Sequence, residues 1–434
     1  MSLRSLILAS AFLVTATATA ADWPQWRGPT RDGVSTETGL LKAWPEGGPK
    51  VVWTAKKLGL GFGTPTVADG KIFGIGSRDG KDGIWALKES DGSEIWFTEF
   101  TATPKVFQQM NGPASSPAYA NGKVYAVSLG GTLICADAAT GNKLWTKEYL
   151  KDFGGAVPTW GYADSVLVDG DQVVCVPCGT KGAVAALKAD TGDVVWAAVM
   201  GKIGTGAKDG GAGYSSPIKA TVAGVPMYLV VLDQKNGLVG LDPKTGKTLW
   251  QYTKAAMGGV AQIPTPIVSG DLVWHSTAYG GGSAVLKLVK DGDKFKVEEV
   301  KTTRTELMNH HGGAVLVDGH VYFGSGQNQG FLACVELKTG ALKWGPEKNA
   351  TTVGGGQGSA AVLYADGRIY YRYQNGTMVL VEPSPEGLKV ASSFKLPPAD
   401  SKSHPQSWPH PVIVNGKMLV RDQNVMYAYD IKAK

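Results

Sequence analysis

Residues Leu238–Trp250 read LVGLDPKTGKTLW and have the form of a short β-hairpin. Leu238 and Leu241 belong to an incoming strand, and Asp242–Gly246 has the composition of a turn, in which glycine supplies a positive φ. Trp250 ends the outgoing strand with a large apolar ring. The stretch therefore predicts two antiparallel strands joined by a tight turn.

The same hairpin recurs along the chain, with a glycine four residues before a tryptophan. Five copies keep this spacing: Gly92 and Trp96, Gly141 and Trp145, Gly192 and Trp196, Gly246 and Trp250, and Gly340 and Trp344. A fixed pattern at intervals of about 50 residues indicates a repeat protein, in which each repeat is one supersecondary unit. Two further outer strands lack the tryptophan, and we place Val300 and Phe394 at their equivalent positions.

Each repeat opens with a short apolar strand that turns at a glycine and returns as a second strand. The turn glycines, mostly preceded by Asp or Asn, are Gly70, Gly122, Gly170, Gly224, Gly270, Gly319, Gly367 and Gly416. Asn-Gly and Asp-Gly between apolar runs are the strongest short hairpin signals. With a third strand and the tryptophan hairpin, each repeat has four strands, and no segment shows the period of an amphipathic helix.

The two ends of the repeat region supply parts of one unit. The last repeat stops at Tyr427–Asp430 without a fourth strand, whereas Lys50–Thr54 reads as an outer strand without a partner. Pairing them closes a ring of eight and leaves no open seam. We therefore predict an all-β, eight-bladed β-propeller of four-stranded antiparallel blades, one domain over residues 21–434 in which residues 50–54 complete the last blade.

The tryptophans have a predicted structural role. Wedge-shaped blades pack face to face, and a large ring on the outer strand fills the gap at the rim while its indole N–H meets a neighbour. We expect this docking role for six residues: Trp53, Trp96, Trp145, Trp196, Trp250 and Trp344.

Composition and the first residues predict export. The net charge of +6 is interspersed along the 434 residues, which argues against a nucleic-acid partner. Arg4, an apolar run over 6–14 and Ala18–Ala20 have the pattern of a signal peptide over residues 1–20. No cysteine stands at the cleavage site for a lipid anchor, and no later apolar run is long enough to span a membrane. We expect a monomer that is periplasmic or extracellular.

The four cysteines give little indication of function. Cys135 and Cys334 occupy matching places in two repeats and are interpreted as small core residues. Cys175 and Cys178 flank Pro177 and are close enough to pair, but no helix start follows them, so a redox motif is not indicated. Zinc would need a second Cys or His pair at suitable spacing.

The pattern A-x-D-x-x-T-G-x-x-x-W, present as Ala136, Asp137, Thr140, Gly141 and Trp145, resembles the tryptophan-docking repeat of the pyrroloquinoline quinone (PQQ) proteins. The resemblance extends from residue 50 to the C-terminus. In addition, DWPQWRGP at 22–29 looks like the opening of a large exported group of such propellers.

The resemblance implies one of two functions. Quinoprotein dehydrogenases bind PQQ and calcium over the central channel, whereas BamB-like members bind no quinone and act as scaffolds in outer-membrane protein assembly. The dehydrogenases typically carry an adjacent Cys–Cys pair, and no two cysteines are adjacent here. BamB has a lipid-anchor cysteine that this chain lacks. Carboxylates for calcium or a catalytic base would come from Asp164, Asp233, Glu306 or Asp422.

Strand order predicts where a site would lie. If the first strand of each blade runs down the channel, the loops before first strands and those between second and third strands share one face. The candidate ligand-binding residues on that face are Asn111, Trp160, Gln234, Lys235, Gln262, His310, His311, Gln327, Gln357, Arg372, Trp408 and His410. Loops are polar without being functional, but glutamine has no turn preference, so its abundance here favours hydrogen bonding to a ligand.

The adjacent His310 and His311 allow a metal site or a proton-transfer pair. Consecutive residues of an extended strand point in opposite directions, so we interpret them as structural loop histidines. No residue is assigned a catalytic or metal-binding role.

We therefore expect a non-enzymatic binding or assembly scaffold without a cofactor. Its recognition surface at one channel mouth would meet a protein, a polar small molecule or a carbohydrate. The alternative is a PQQ-dependent oxidoreductase with calcium that acts on alcohols or sugars, with Lys235 and Arg372 as cations for PQQ and Trp160 or Trp408 as a stacking wall. Calcium prefers about six to eight oxygen ligands, usually with carboxylates, and this face is poor in them.

Overall fold

The computed structural model describes residues 22–107, 112–206, 211–346, 358–398 and 408–434. Over these residues the chain forms 33 β-strands and one short helix. The strands assemble into eight four-stranded antiparallel sheets, one of which gains a fifth strand. The predicted all-β, eight-bladed propeller is confirmed.

Seven blades are continuous in sequence, and their strands run from the innermost to the outermost position in chain order. Blade 1 has β3 (Thr66–Ala68), β4 (Lys71–Arg78), β5 (Lys81–Lys88) and β6 (Glu94–Ala102). Blade 2 has β7 (Ala118–Ala120), β8 (Lys123–Val127), β9 (Thr132–Asp137) and β10 (Lys143–Glu148). Blade 3 has β11 (Leu167–Asp169), β12 (Gln172–Cys175), β13 (Val184–Lys188) and β14 (Val194–Ala198). Blade 4 has β15 (Ile218–Val222), β16 (Val225–Val231), β17 (Leu238–Leu241) and β18 (Thr248–Tyr252).

The second half of the ring repeats this order. Blade 5 has β19 (Ile267–Ser269), β20 (Leu272–Thr277), β21 (Gly282–Asp291) and β22 (Lys294–Thr303). Blade 6 has β23 (Ala314–Val317), β24 (His320–Ser325), β25 (Phe331–Glu336) and β26 (Leu342–Trp344). Blade 7 has β27 (Ala360–Ala365), β28 (Arg368–Tyr373), β29 (Thr377–Glu382) and β30 (Lys389–Lys395), with β1 (Val34–Ser35) added in parallel to β27.

Blade 8 joins the two ends of the chain. Its inner strands are β31 (Val412–Val414), β32 (Lys417–Asp422) and β33 (Val425–Asp430), and its outer strand is β2 (Val51–Ala55). The pairing of β2 with β33 is antiparallel and sets Trp53 opposite Ala428. The predicted closure by an N-terminal strand is confirmed, with the strand one residue later than the sequence indicates.

The one helix is α1 (Tyr149–Phe153), which follows β10. Tyr149 and Phe153 are buried on the same side of its single turn, and Gly154 ends it in the left-handed conformation with φ of 69°. A helix this short has no repeating apolar period, which explains why the sequence does not predict it.

The glycine and the tryptophan of the hairpin motif belong to different blade interfaces. Trp196 of blade 3 donates its indole N–H to the Pro243 carbonyl of blade 4, at 3.1 Å. Its ring lies on Gly246, where a Cβ atom would stand 2.3 Å away. The same glycine contact relates Trp53 to Gly92, Trp96 to Gly141 and Trp145 to Gly192. These contacts support the docking role; its energetic weight stays a prediction.

Trp250 shows a different arrangement. Its indole N–H points to the Met227 sulfur of its own blade at 3.0 Å, and its ring lies against Gly240 on the adjacent strand. In blade 5 the strands β21 and β22 extend much further, to a turn at Gly292. The turn of this hairpin therefore lies too far along the strands to receive the Trp250 ring.

The assignment of Val300 and Phe394 to the tryptophan position is wrong. In blade 3 Trp196 pairs with Ala186 just before a β-bulge, and the residues with this register in blades 5 and 7 are Lys301 and Ser392. The same bulge occurs in the tryptophan blades. The position moves because it lies nine residues after Gly292 in blade 5 and five after Gly387 in blade 7, not four. In blade 7 an N-terminal residue, Trp44, takes the space beside Ser392 and packs edge-on against Phe394, with ring centroids 5.0 Å apart.

Hydroxyl groups link successive blades around the channel. The hydroxyls of Thr64, Ser116, Ser165 and Ser216 each accept a hydrogen bond from a backbone N–H of the preceding blade, at 2.8–3.0 Å. The apolar cores lie between the blades, where facing sheets bury Val, Leu, Ile and Tyr side chains. Loops before the inner strands are thus held at fixed positions by their neighbours.

The segment 22–42 lies across the channel and was not predicted. Trp23 pairs with Val67 of blade 1, and Pro24 accepts a hydrogen bond from Tyr119 of blade 2. Arg31 donates to the carbonyls of Ser165 and Val166 in blade 3. On the other side of the ring, Arg27 donates to the Ala314 carbonyl in blade 6, and β1 pairs with blade 7. The Ser35 hydroxyl donates to the Ile413 carbonyl in blade 8. These contacts reach six blades on both sides of the ring, so the segment crosses the channel below the mouth.

Candidate functional site

A cavity of about 380 Å³ opens at one mouth of the channel. Its lining comes from loops before inner strands and loops between second and third strands, the two sets that strand order assigns to one face. The lining residues are Ala114, Trp160, Ala163, Tyr214, Ala261, Ile263, Tyr279, His310, His311, Gln327, Asn328 and Trp408. Five predicted candidates therefore meet in one place: Trp160, His310, His311, Gln327 and Trp408.

One wall of the cavity is a continuous series of rings. Trp408 is stacked on His311, with centroids 4.3 Å apart and planes 14° apart. The far side of Trp408 contacts Phe62 at 4.9 Å, and His311 contacts His310 at 3.7 Å. His310 then meets the edge of Tyr279, whose hydroxyl lies 3.2 Å from Nε2 of the imidazole. Each ring holds the next, so this wall is rigid.

A second aromatic wall comes from the loops of blades 2 to 4. Trp160 lies between Phe107, at a centroid distance of 5.9 Å, and Tyr214, at 6.0 Å. The Tyr214 hydroxyl accepts a hydrogen bond from the Trp160 backbone N–H at 3.3 Å. The cavity thus has flat apolar surfaces on two sides and hydroxyl and amide groups among them.

The two mouth histidines are neutral at pH 7. Burial lowers the pKa of His310 to about 4. The pKa of His311 lies well below its usual value because of burial and, to a smaller degree, the charge that His310 would carry. Neutral imidazoles donate and accept hydrogen bonds without adding charge to the cavity.

Gln262 is a candidate that the structure places in a structural role. Its side chain is fully buried, and its amide receives the Gly258 N–H at 3.3 Å and donates to the Gly258 carbonyl at 2.5 Å. The amide therefore fixes the loop 257–262. Turn propensity cannot reveal this role, because the bonds depend on the folded path of the loop.

Arg372 does not line the cavity, and His410 lines only its deeper part. Arg372 donates to the Pro409 carbonyl at 2.5 Å and lies 3.8 Å from the Asp422 carboxylate. His410 packs against Trp26, and burial lowers its pKa to about 3. Both side chains hold the inner end of blade 8.

The remaining candidates lie elsewhere. Gln234 and Lys235 are exposed, and Gln234 lines a separate depression beside Arg304. Asn111 and Gln357 fall outside the described residues, as does the predicted signal peptide at 1–20. Strand order groups these loops on one face, but it does not give the distance of a loop from the channel axis.

The floor of the cavity has residues that sequence reasoning missed. Trp26 and Arg27 line its deeper part together with Phe62 and the hydroxyls of Thr64 and Ser165. Arg27 is buried and donates to the carbonyls of Asp32 and Ala314. The WPQWRG stretch resembles the opening of other exported propellers, but it carries no periodicity that would place it inside the ring.

The four carboxylates considered for calcium do not line the cavity. Asp164 is buried below it, where desolvation raises its pKa to about 7 although Tyr149 and Val176 donate to it. Asp233 accepts the N–H groups of Gly204 and Asn236. Glu306 accepts the N–H of Arg304, and Asp422 faces Arg372. Each has a local structural partner.

PQQ with calcium does not fit the described residues. Its three carboxylates would need cations, and calcium would need oxygen ligands that usually include carboxylates. The described lining holds no Asp or Glu, and its one Lys or Arg is Arg27 in the deeper part. Within the ranges that the structure covers, no three His, Cys, Asp or Glu side chains come together as a metal site. The four thiols are buried and unpaired.

Fold and cavity together define an eight-bladed propeller with an aromatic cavity at one mouth of its channel. The family model described as outer membrane protein assembly factor BamB matches residues 84–345. This is more than half of the chain, and the chain belongs to that family.

Individual comparisons agree with this assignment. BamB of Moranella endobia (strain PCIT) is 31% identical over 122 residues, which cover 26% of this chain and 31% of that protein. BamB of Burkholderia pseudomallei (strain K96243) is 24% identical over 74% of this chain and 75% of its own length. A solved europium-containing methanol dehydrogenase is 14% identical and superposes with a TM-score of 0.63 over 94% of this chain and 89% of its own. That likeness shows the fold alone.

No described helix has the length and apolar character to cross a membrane.

Proposed function

We propose that this protein is a non-enzymatic, exported binding scaffold of the BamB type, with its recognition surface at the cavity mouth. The observation that carries the proposal is the cavity itself, which combines aromatic walls and neutral polar groups with a blocked channel beneath. The relatives named outer membrane protein assembly factors support an assembly role beside the outer membrane. Its partner would be a protein, a polar small molecule or a carbohydrate.

The alternative of a PQQ-dependent oxidoreductase has less support. The dehydrogenase likeness is one of fold, which does not imply function. The described lining offers no carboxylate to act as base, and its one Lys or Arg is Arg27 in the deeper part. The groups that could move a proton there are neutral imidazoles and tyrosine hydroxyls, with burial raising the pKa of Tyr214 and Tyr279.

The scaffold role predicts binding of an unfolded client. The purified protein should bind a urea-unfolded outer-membrane β-barrel protein on dilution, measured by fluorescence anisotropy of the labelled client. Trp160→Ala should weaken binding about tenfold, because aromatic anchors carry much of the binding energy at interfaces. Lys235→Ala, an exposed change away from the cavity, is the matched control and should bind as the wild type does. Equal affinity for both variants would contradict recognition at the mouth.

The same proposal predicts inactivity in reconstitution with PQQ. The protein should neither retain stoichiometric PQQ nor reduce a dye with alcohols or sugars in the presence of calcium or a lanthanide ion. The described lining offers no carboxylate for the ion and only Arg27 as a cation for the three carboxylates of the quinone. Absorbance of the protein after gel filtration and a dye-reduction assay measure the two properties. Turnover that disappears on chelation would establish the enzyme and remove the scaffold interpretation.

A further inference from the structure

The joint between blades 5 and 6 lacks the tryptophan that connects other blades at the rim. In five other joints an indole N–H donates to the carbonyl three residues before a hairpin glycine, and these carbonyls belong to Glu89, Ala138, Ala189, Pro243 and Ser384. The equivalent carbonyl in blade 6 is that of Leu337, three residues before Gly340. Blade 5 has Lys301 in the tryptophan register, and a Cβ atom on Gly340 would stand 2.4 Å from that of Lys301. An aliphatic stem therefore stands where the other joints have a ring.

A groove of about 540 Å³ lies beside this joint, and we call it the rim groove. Its apolar lining comes from Leu272, Val300 and Leu337, and Val300 is 39% exposed. Leu272 begins the second strand of blade 5, a place that holds Lys, Arg or His in five other blades: Lys71, Lys123, His320, Arg368 and Lys417. Blade 5 therefore presents apolar side chains where its docking ring is missing.

The rim groove is separate from the mouth cavity. Ser269 and Gly319, which also line the groove, lie at turns between first and second strands. The mouth is built from loops before first strands and loops between second and third strands, so the groove lies on the opposite face. The two linings share no described residue.

Blade 7 shows how a ring from outside the blade fills such a joint. Its register position is Ser392, and Trp44 of the N-terminal segment donates its backbone N–H to the Ser392 hydroxyl at 2.8 Å. The Trp44 ring lies 5.8 Å from Tyr370 on the second strand, much as the docking rings of blades 1, 2 and 6 lie 5.9–6.2 Å from an aromatic ring of that strand. We propose that the rim groove receives an aromatic side chain in the same way, from a partner protein.

The 434 residues of this chain offer no further ring for the groove. No aromatic side chain of the described residues lines it. The segments outside the described ranges contain neither Trp nor Tyr, and their one Phe, Phe12, belongs to the predicted signal peptide. The occupant is therefore a segment of another protein.

Charge defines the sequence around the docked ring. The groove has one carboxylate, Asp271, which lies 3.7 Å from the Lys287 ammonium. Lys338 in the lining and Lys301 beside it are exposed, and neither has a described carboxylate within 4 Å. Carboxylates on either side of the partner's aromatic residue meet these two lysines. Exposed ion pairs add little affinity but select the partner, so the docking segment is acidic as well as aromatic.

The test is a calorimetric titration of the full mature chain with short capped peptides. GDEWEDG is the acidic aromatic probe, GDEAEDG lacks the ring, and GKKWKKG reverses the charge. GDEWEDG should bind with a Kd below about 1 mM. GDEAEDG should bind at least about tenfold more weakly, because aromatic anchors carry much of the binding energy. GKKWKKG should also bind about tenfold more weakly, because its charges repel the lysines of the groove.

Two variants locate the binding. Lys301→Trp places a ring in the docking register, so it should raise the melting temperature and weaken GDEWEDG binding at least about tenfold. Its matched control is Lys290→Trp, the same change on the same hairpin, where residue 290 pairs with Phe295 on the side facing blade 4. The control should bind GDEWEDG as the wild type does. Lys338→Glu, an exposed change, should leave the melting temperature unchanged and weaken GDEWEDG binding about tenfold.

Three peptide results would overturn the inference: GDEWEDG does not bind, GDEAEDG binds equally well, or Lys301→Trp and Lys338→Glu both bind GDEWEDG as the wild type does. Sedimentation velocity adds a fourth, a wild-type dimer that becomes a monomer in Lys301→Trp, which would make a second copy of this chain the occupant. Client binding at the mouth should be the same in Lys301→Trp and the wild type. Failure of this inference is therefore distinguishable from failure of the proposed function.

Discussion

A chain that lacks residues 22–56 should aggregate or melt at a temperature lower by roughly 10 °C or more. The deletion removes β2, and with it the outer strand of blade 8 and the Trp53 contact with Gly92 of blade 1. It also removes the buried side chains of Trp23, Leu40 and Trp44. At roughly 1.5–3 kcal/mol for each large apolar side chain, the loss approaches the whole stability of a typical domain.

A shorter deletion separates the two roles of residues 22–56, which are to close the ring through β2 and to occupy the channel. Removing residues 22–33 keeps β1, Trp44 and β2, so the ring stays closed while the channel loses Trp23 and Arg27. Its melting temperature should fall less than that of the longer deletion. Differential scanning calorimetry measures both. If the 22–56 deletion melts as the intact chain does, β2 does not hold the ring together.

Replacing Trp250 with alanine should cost on the order of 3–5 kcal/mol, the usual range for a buried aromatic side chain. Trp250 is 4% exposed and packs with Met227, Val273 and Leu286 between blades 4 and 5. Trp145 tests the rim contact instead, since its indole N–H donates to the Ala189 carbonyl of blade 3 at 3.0 Å. Trp145→Phe keeps most of the ring and should cost about 1 kcal/mol, the net value of one hydrogen bond.

Urea unfolding of the two variants gives these free energies, with Leu144→Ala on the exposed face of the same strand as the control. That control should change the free energy of unfolding by less than about 0.5 kcal/mol. A loss below about 1 kcal/mol for Trp250→Ala, together with no loss for Trp145→Phe, would show that these rings do not stabilise the blade interfaces.

The sequence predicts most of the ring because its strongest signals are local. Five glycine–tryptophan pairs define the outer hairpins, and the orphan strand at 50–54 leads directly to the closure seen between β2 and β33. The equivalents of the missing tryptophans, Lys301 and Ser392, could not be found by counting. They depend on the lengths of the β21–β22 and β29–β30 hairpins, which move the position away from the turn without a signal in residue type.

The candidate site was predicted in part for a related reason. Strand order correctly groups Trp160, His311 and Gln327 at one mouth. It does not distinguish a loop that reaches the axis from one that stays at the rim, as Lys235 does, or an amide turned toward its own loop, as in Gln262. The floor was missed because segment 22–42 is held by contacts with residues far away in sequence, and no pattern within the segment itself records them.

The hairpin motif constrains how the sequence of such a repeat protein can evolve. Its glycine and tryptophan stand four residues apart, yet in blades 1 to 3 the glycine contacts the ring of the blade before it and the tryptophan contacts the blade after it. The pair that must fit together is therefore Trp196 with Gly246, separated by 50 positions. A duplicated blade carries the glycine for one blade interface and the tryptophan for the next. Gain or loss of a whole blade therefore preserves the glycine–tryptophan contacts on both sides. A substitution in one hairpin instead requires a compensating substitution one repeat away.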